Sequence, residues 1–440
     1  GVEVHDKTEA IALIHDGETC FGAVARCLRT GELRVYLSRA TMIASGGFGR
    51  IYPNSTNAVI CDGGAHITAV DTGVVPMGNM EAVQFHPTGI VPTDILVTEG
   101  CRGDGGTLLD VNEERFMDKY EPEKAELASR DVVSRWMTHH IRQGKGVKSP
   151  YGEHLWLDIR HLGEKHITGK LREVYEICTS FLGINPIHQL IPVRPTQHYS
   201  MGGVRTDKDG HAYGLKGLFS AGEAACWDMH GFNRLGGNSL AETVVAGGIV
   251  GAKIAEYVQG AEVSFSSAVV DQAVAEQQER IDNIVEGRNG GENVYKVRQA
   301  MYTAIDQGAH IFRNEEGLTA CVGELQEVLD RARKVGLKTG GKGASPELQA
   351  ALKIEGQVKL ALMVAYGALQ RTESRGSHNR EDYTARNDRD WLVRTLAYWK
   401  SPDDTLPTLE YEPATEVVEI PPGDRGYGKT EIISADDKED

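Results

Sequence analysis

The chain has 440 residues, 40% of them hydrophobic and 25% charged, which suits two or three soluble globular domains. Its formal net charge of −16 argues against a general nucleic-acid binder. No apolar run reaches the roughly 18–20 residues of a membrane span, so direct membrane insertion is not expected. The cysteines, at 20, 27, 61, 101, 178, 226 and 321, are scattered without a CxxC pair. Neither a disulfide framework nor a metal site is suggested.

In chain order, "EAIALIHD", "CFGAVARCL" and "ELRVYLSRATMIASGG" alternate or run apolar between turn residues and read as strands. The sequence opens without an initiator Met or a targeting signal. A domain that starts this way is expected to lack its first unit, so the sequence reads as N-terminally truncated. "ATMIASGG" (40–47) is an apolar strand closing on glycines, which let a backbone approach a cofactor. An ordinary strand-to-loop turn is the alternative. "CDGGAHITAVDTGV" (61–74) predicts a glycine turn into a helix, and no GxGxxG occurs anywhere.

Residues 86–197 mix polar loops and helices. "KAELASRDVVSRWMTHHIRQG" places Leu127, Val133, Trp136, Met137 and Ile141 at near-helical spacing. Residues 198–258 return to glycine-rich α/β character. In "HGFNRLGGNSL" (230–240), Asn238 or Ser239 is the expected cap of an Ala/Gly/Val-rich helix. Residues 265–371 are mostly helical. Val294, Val297, Met301 and Ile305 give one core-facing stripe, and Leu325, Val328, Leu329 and Ala332 another. The tail turns β-like around "PTLEYEP" and ends in a charged run, expected to be solvated or disordered.

Three stretches combine glycine with cations and neutral donors. "EAVQFHPTGIVPTDILVTEGCRGDGG" holds Gln84, His86, Thr98, Glu99 and Arg102. "RPTQHYSMGGVRTD" holds His198 and Tyr199, and "HGFNRLGGNSL" holds Arg234. Arg130 adds a cation on a predicted helix. Taken singly, each has a bland reading: a satisfied core histidine, or a surface ion pair such as Glu99 with Arg102. Together they suit a small substrate with two carboxylates, because arginine is a forked, permanently charged donor and histidine and threonine add single donors.

The strings "NMEAVQFHPTG", "LVTEGCRGDGG", "ELASRDVVSR", "QHYSMGG", "LFSAGEAACWDMHGFNRLGGNSL" and "RTESRGSHNREDY" occur in this order over nearly the whole chain. They resemble the flavoprotein subunit of fumarate reductase and succinate dehydrogenase, above all the menaquinol:fumarate reductases of epsilon-type proteobacteria. The resemblance implies an α/β + α fold. An FAD-binding, Rossmann-like domain (1–85, returning at 198–260) is interrupted by an α+β capping domain (86–197). A helical domain (261–395) and a small C-terminal domain (396–440) follow. It implies interconversion of fumarate and succinate by hydride transfer with FAD. His86, Thr98, His198 and Arg234 match the dicarboxylate-binding positions. Arg130 matches the arginine that moves the proton, and Glu99 and Arg102 match its relay. Ala44, Ser45, Gly46, Gly47, Glu223, Asn238, Ser239 and Leu240 match flavin contacts, with Asp62 a further candidate. No metal site is implied in this chain. The resemblance also implies covalent FAD through a histidine that lies outside this sequence. Its implied partners are an iron–sulfur subunit and a membrane cytochrome b subunit, and its implied location is the cytoplasmic face of the bacterial inner membrane, with a periplasmic variant as the alternative. The competing readings are an L-aspartate oxidase-like FAD enzyme, which shares the "HPT" and "HY..GG" elements, and a non-catalytic flavin-binding or assembly component.

Overall fold

The computed structural model describes residues 1–440 except 262–263, 340, 415–422, 425–427, 429–430 and 435–440. The charged run expected at the end of the chain lies outside the described residues from 435 onward.

Thr8–His15, Cys20–Cys27 and Leu33–Leu37 form a three-stranded antiparallel sheet, as their alternation predicts. Thr41–Ile43 leaves that sheet and pairs in parallel with Leu218–Ser220, Ile43 opposite Ser220. Parallel pairing makes both strands end at the same edge. The Ala44–Gly47 and Ala221–Glu223 backbones therefore emerge side by side, the usual position for a ligand in an α/β sheet. A Cβ on Gly47 would lie 2.4 Å from Glu223 Oε1, so a larger residue there would have to displace the Glu223 side chain. Gly64–Val70 is helical, as the preceding glycines suggest.

A four-stranded antiparallel sheet, in the order Val83–Ile90, Ile191–Ser200, Leu155–Asp158, Thr107–Leu109, occupies the middle of the chain. With the helix Arg130–His140 it encloses its own core of Ile90, Val97, Phe116, Val132, Met137, Leu155 and Val193. A second, larger core joins the N-terminal sheet to the helices after residue 266. The strands Val83–Ile90 and Ile191–Ser200 run between the two regions.

The stripe expected to include Leu127 is shorter than the spacing suggested. Leu127 is 63% exposed and belongs to a separate 3-10 turn, Ala125–Leu127. Ala128 and Ser129 are extended, so the helix begins at Arg130 and buries Val132, Val133 and Met137. The stripes from Val294 and Leu325 face the core as expected, on the helices Val294–Gly308 and Glu315–Ala332. Asn293 and Asn314 cap these helices through their side chains, and Ser345 caps Pro346–Gln370. That last helix is buried along nearly its whole length and forms the spine of the larger core. "PTLEYEP" is a strand, Thr408–Pro413, paired antiparallel with Val393–Tyr398. Among the described residues, no helix is long and apolar enough to cross a membrane, and no cluster of metal-ligating side chains occurs.

The "RTESRGSHNRED" stretch is a buried ionic knot. Arg371 binds Glu81 at 2.8 Å and Glu373 at 2.9 Å, with all three side chains fully buried. Arg375 joins Glu373 at 2.8 Å to Asp388 at 2.7 Å. Thr395 Oγ1 donates to Glu81 at 2.7 Å. Removing the central cation leaves the Glu81 carboxylate in the protein interior without a cationic partner and Glu373 with Arg375 alone. Arg371→Met is predicted to cost about 3–5 kcal/mol of stability, read from urea denaturation; a loss below about 1 kcal/mol contradicts this.

Candidate active site

Arg130 is the first residue of its helix, so its side chain leaves the helix start and enters the space between the two cores. A cleft of about 430 Å³ is lined there by His86, Leu96, Thr98, Glu99, Arg130, Gly236 and Gly237. Glu99 Oε2 accepts from Arg130 Nε at 3.0 Å and lies 3.0 Å from its Nη2. The other Glu99 oxygen lies 3.6 Å from Arg102 Nη2. One carboxylate thus bridges two guanidiniums. The Arg102 side chain is buried and donates from Nη1 to the Glu126 carbonyl. Gly236 completes the wall: a Cβ there would stand 2.8 Å from Glu99 Oε2 and 3.2 Å from Arg130 Nη2.

Arg234 closes the other side. Its Nη2 donates to His198 Nε2 at 2.9 Å, and its Nη1 to Ser239 Oγ at 3.2 Å and the Leu235 carbonyl at 3.3 Å. Its guanidinium carbon lies 4.5 Å from the Tyr199 ring centroid. Because His198 Nε2 accepts, the ring proton sits on Nδ1, which bonds Thr56 Oγ1 at 2.7 Å. His86 adopts the opposite tautomer. Its Nδ1 accepts the Thr88 backbone N–H at 3.2 Å, so Nε2 carries the proton, and this buried N–H has no protein partner. The rings of His86 and His198 lie 5.1 Å apart on paired strands.

Burial first, and then the neighbouring guanidiniums of Arg130 and Arg234, push His198 down to about 3. Burial and then His198, with three arginines beyond it, hold His86 well below the ordinary histidine range. Arg234 is itself lowered by burial and by Arg130. Both histidines are therefore neutral donors or acceptors near neutral pH. The cleft carries net positive charge from its arginines, and an anion with two carboxylates would complete it.

Of the sequence-derived site residues, His86, Thr98, Glu99 and Arg130 line this cleft directly. Arg102 joins it through Glu99, and His198 and Arg234 join each other beside it. Gln84 couples the two sides. Its Oε1 accepts from Arg130 Nη1 at 3.3 Å, and its Nε2 donates to the Arg234 carbonyl at 2.7 Å and Asn233 Oδ1 at 2.8 Å. Leu96, Thr56 and the Glu126 carbonyl carried no sequence signal, being a lone apolar side chain, a loop hydroxyl and a backbone group.

The flavin-type positions sit at the parallel strand ends and the start of the helix Asn238–Gly260. The helix cap is Gly237, in the left-handed region (φ 81°), in place of the expected Asn238 or Ser239. Ser239 Oγ is engaged by Arg234, and Asn238 already lies inside the helix. This helix start carries no side-chain cap, which leaves backbone N–H groups and the positive dipole end for a ligand. Leu240, Ala44 and Ser45 are exposed beside it. Glu223 Oε1 accepts the Ser200 N–H at 3.0 Å, and burial raises this carboxyl to about 7. Asp62 is engaged elsewhere: its Oδ2 pairs with Lys353 at 2.8 Å and its Oδ1 accepts from Gly64 N at 3.1 Å. The glycine ledge, the open helix start and the partly buried Glu223 fit a planar polar ring. These are the features of a flavin.

The comparisons agree with this chemistry. Residues 1–240 match the FAD binding domain family, which sets the class: an FAD-binding flavoprotein. Residues 298–427 match the fumarate reductase flavoprotein C-terminal family. The fumarate reductase flavoprotein subunit of Helicobacter pylori is 47% identical over 97% of this chain and 64% of its own length. The chain thus spans less than two thirds of that relative. The fumarate reductase flavoprotein subunit of Mycobacterium tuberculosis is 38% identical over 95% of this chain and 73% of its own. The solved quinol fumarate reductase of E. coli superposes with a TM-score of 0.89 at 35% identity, covering 96% of this chain and 73% of that one. The chain belongs to the fumarate reductase and succinate dehydrogenase flavoprotein family.

The histidine chemistry yields a pH prediction. An unfolded histidine takes up its proton near 6.5, whereas folded His198 resists until about 3. Its contribution to stability is therefore complete above 6.5 and is lost as pH falls through that window. Between pH 7 and pH 5, wild type should lose about 2 kcal/mol more than His198→Asn in urea denaturation. Equal losses contradict a neutral, buried His198.

Proposed function

We propose that this chain is the flavin-bearing catalytic subunit that interconverts fumarate and succinate. The observation that carries the reading is the ionic chain Arg130–Glu99–Arg102, hydrogen-bonded at Arg130 and an ion pair of 3.6 Å at Arg102, which leads from the cation-lined cleft to a buried guanidinium. Bound FAD supplies the hydride chemistry; Ala44, Ser45, Gly46, Gly47, Glu223, Asn238, Ser239 and Leu240 would hold it, and Asp62 keeps its place beside Lys353.

The chain's own residues supply position, field and proton. Arg234 and the free Nε2–H of His86 bind carboxylate oxygens, with Thr98 as a further donor, while His198 serves the substrate site by accepting from Arg234 and holding that guanidinium in place. Fixing both carboxylates holds the alkene carbons in one orientation and favours the charge that grows on one carboxylate. Arg130 holds the proton at its guanidinium. An arginine of ordinary pKa above about 12 gives up a proton only where it is restored at once. Glu99 touches it through two contacts, and Arg102 stands behind Glu99. The segment 86–197 carries Arg130 and the relay on its own core and acts as the cap that excludes water. We further propose the domain division given by the resemblance, an iron–sulfur subunit and a membrane cytochrome b subunit as partners, and a peripheral position on the cytoplasmic face of the inner membrane.

In the full-length flavin-loaded protein, Arg130→Lys is predicted to lower fumarate turnover at least about 100-fold while dicarboxylate affinity changes less than about 10-fold. Near-normal turnover overturns the assignment. Arg234→Ala should raise KM and lower turnover while the circular dichroism of the helix persists; loss of folding would return Arg234 to a structural role.

A further inference from the structure

One buried cluster beside the cleft has no part in the steps above. Glu242 lies on the second turn of the Asn238–Gly260 helix, and its side chain is almost entirely buried. Its Oε2 accepts the Tyr199 hydroxyl at 2.8 Å and meets His230 Nε2 at 2.9 Å. The Tyr199 ring packs edge-on against His230, with centroids 5.4 Å apart. Arg234 lies over that same ring. The edge contacts of Arg234 to His198, Ser239 and Leu235 fix its nitrogens, and Tyr199 covers its face.

We propose that Glu242 is a positioning residue for Arg234 and acts through Tyr199. The carboxylate pins the phenol at its hydroxyl end, and the pinned ring holds the guanidinium in the plane that meets a substrate carboxylate. The proposal rests on the reading that Arg234 binds a dicarboxylate. Three physical points support it. A desolvated arginine over an aromatic face is held by the ring quadrupole, and a charged acceptor on the hydroxyl sends electron density into that ring. A guanidinium already fixed in orientation loses less freedom when a ligand arrives. Burial first, and then the charge of Glu242, push the Tyr199 phenol above its ordinary range, so it stays protonated and donates. Glu242 also stands on the helix whose open start faces the flavin-type positions, so one carboxylate ties the substrate arginine to the cofactor-side helix.

A double-mutant cycle in the full-length, flavin-loaded protein tests this. Wild type, Glu242→Gln, Tyr199→Phe and the double variant are compared for succinate dissociation constant, KM and kcat, with flavin content and Tm as controls. Each single change is expected to raise the dissociation constant and KM about 5- to 10-fold, with kcat within about twofold. The double variant should be no weaker than the weaker single, because both changes cut the same link. Additive losses overturn the proposal, as does unchanged succinate binding with a lowered Tm. Should Glu242→Gln fail to fold, Tyr199→Phe decides alone: a KM within twofold of wild type overturns the proposal. Failure of wild type itself to bind succinate would instead overturn the dicarboxylate reading of the cleft.

Discussion

Crowded positive charge governs this site. Arg130, Arg234 and Arg102 share one neighbourhood, and the single carboxylate that bridges two of them, Glu99, is partly exposed. Arg130 repels both Arg102 and Arg234, and burial strengthens the repulsion. The fold answers with oriented neutral acceptors: Gln84 Oε1, His198 Nε2, Ser239 Oγ and the carbonyls of Leu235 and Glu126. The histidines stay neutral first because they are buried, and then because the neighbouring charges oppose another cation. An anionic ligand would relieve what the protein leaves unbalanced.

Topology delivers these groups from distant parts of the chain. The strands Val83–Ile90 and Ile191–Ser200 pair across the junction of two cores, so His86 and His198 arrive together there. The middle region, with its own core, contributes Arg130, Glu99 and Arg102 from one side, and the loop before the Asn238 helix contributes Arg234 from the other. Gln84 and the Asn233–Asp131 bond, 3.0 Å long, stitch the sides together. On the cofactor side, parallel pairing of Thr41–Ile43 with Leu218–Ser220 brings Gly47 against Glu223. The helix start and Arg234 thus meet within the turn Arg234–Ser239.

Much of this was legible in the sequence, because the chemistry-bearing residues lie in short motifs beside glycines. The N-terminal hairpins and the helical stripes were legible by periodicity. The middle sheet was not: its long strands read "VQFHPTGI" and "IPVRPTQHYS", and buried polar residues erase the two-residue alternation. Leu127 matched a helical spacing that Ala128 and Ser129 interrupt. The cap at Gly237 was missed because a left-handed glycine does by backbone conformation what Asn238 could do by side chain. Asp62 sits at a plausible flavin position in the sequence, but Lys353, from a helix nearly three hundred positions later, draws its carboxylate away. Thr56 is just as far beyond local pattern, since only the folded chain brings it to His198.

The central claim is that Glu99 passes a proton between Arg102 and Arg130 while Arg234 and His86 hold the substrate. The most direct measurement is fumarate turnover of Glu99→Gln in the full-length, flavin-loaded protein, alongside its dicarboxylate dissociation constant. The account predicts turnover lowered by about two to four orders of magnitude with binding changed only a few-fold. Turnover close to wild type would contradict it.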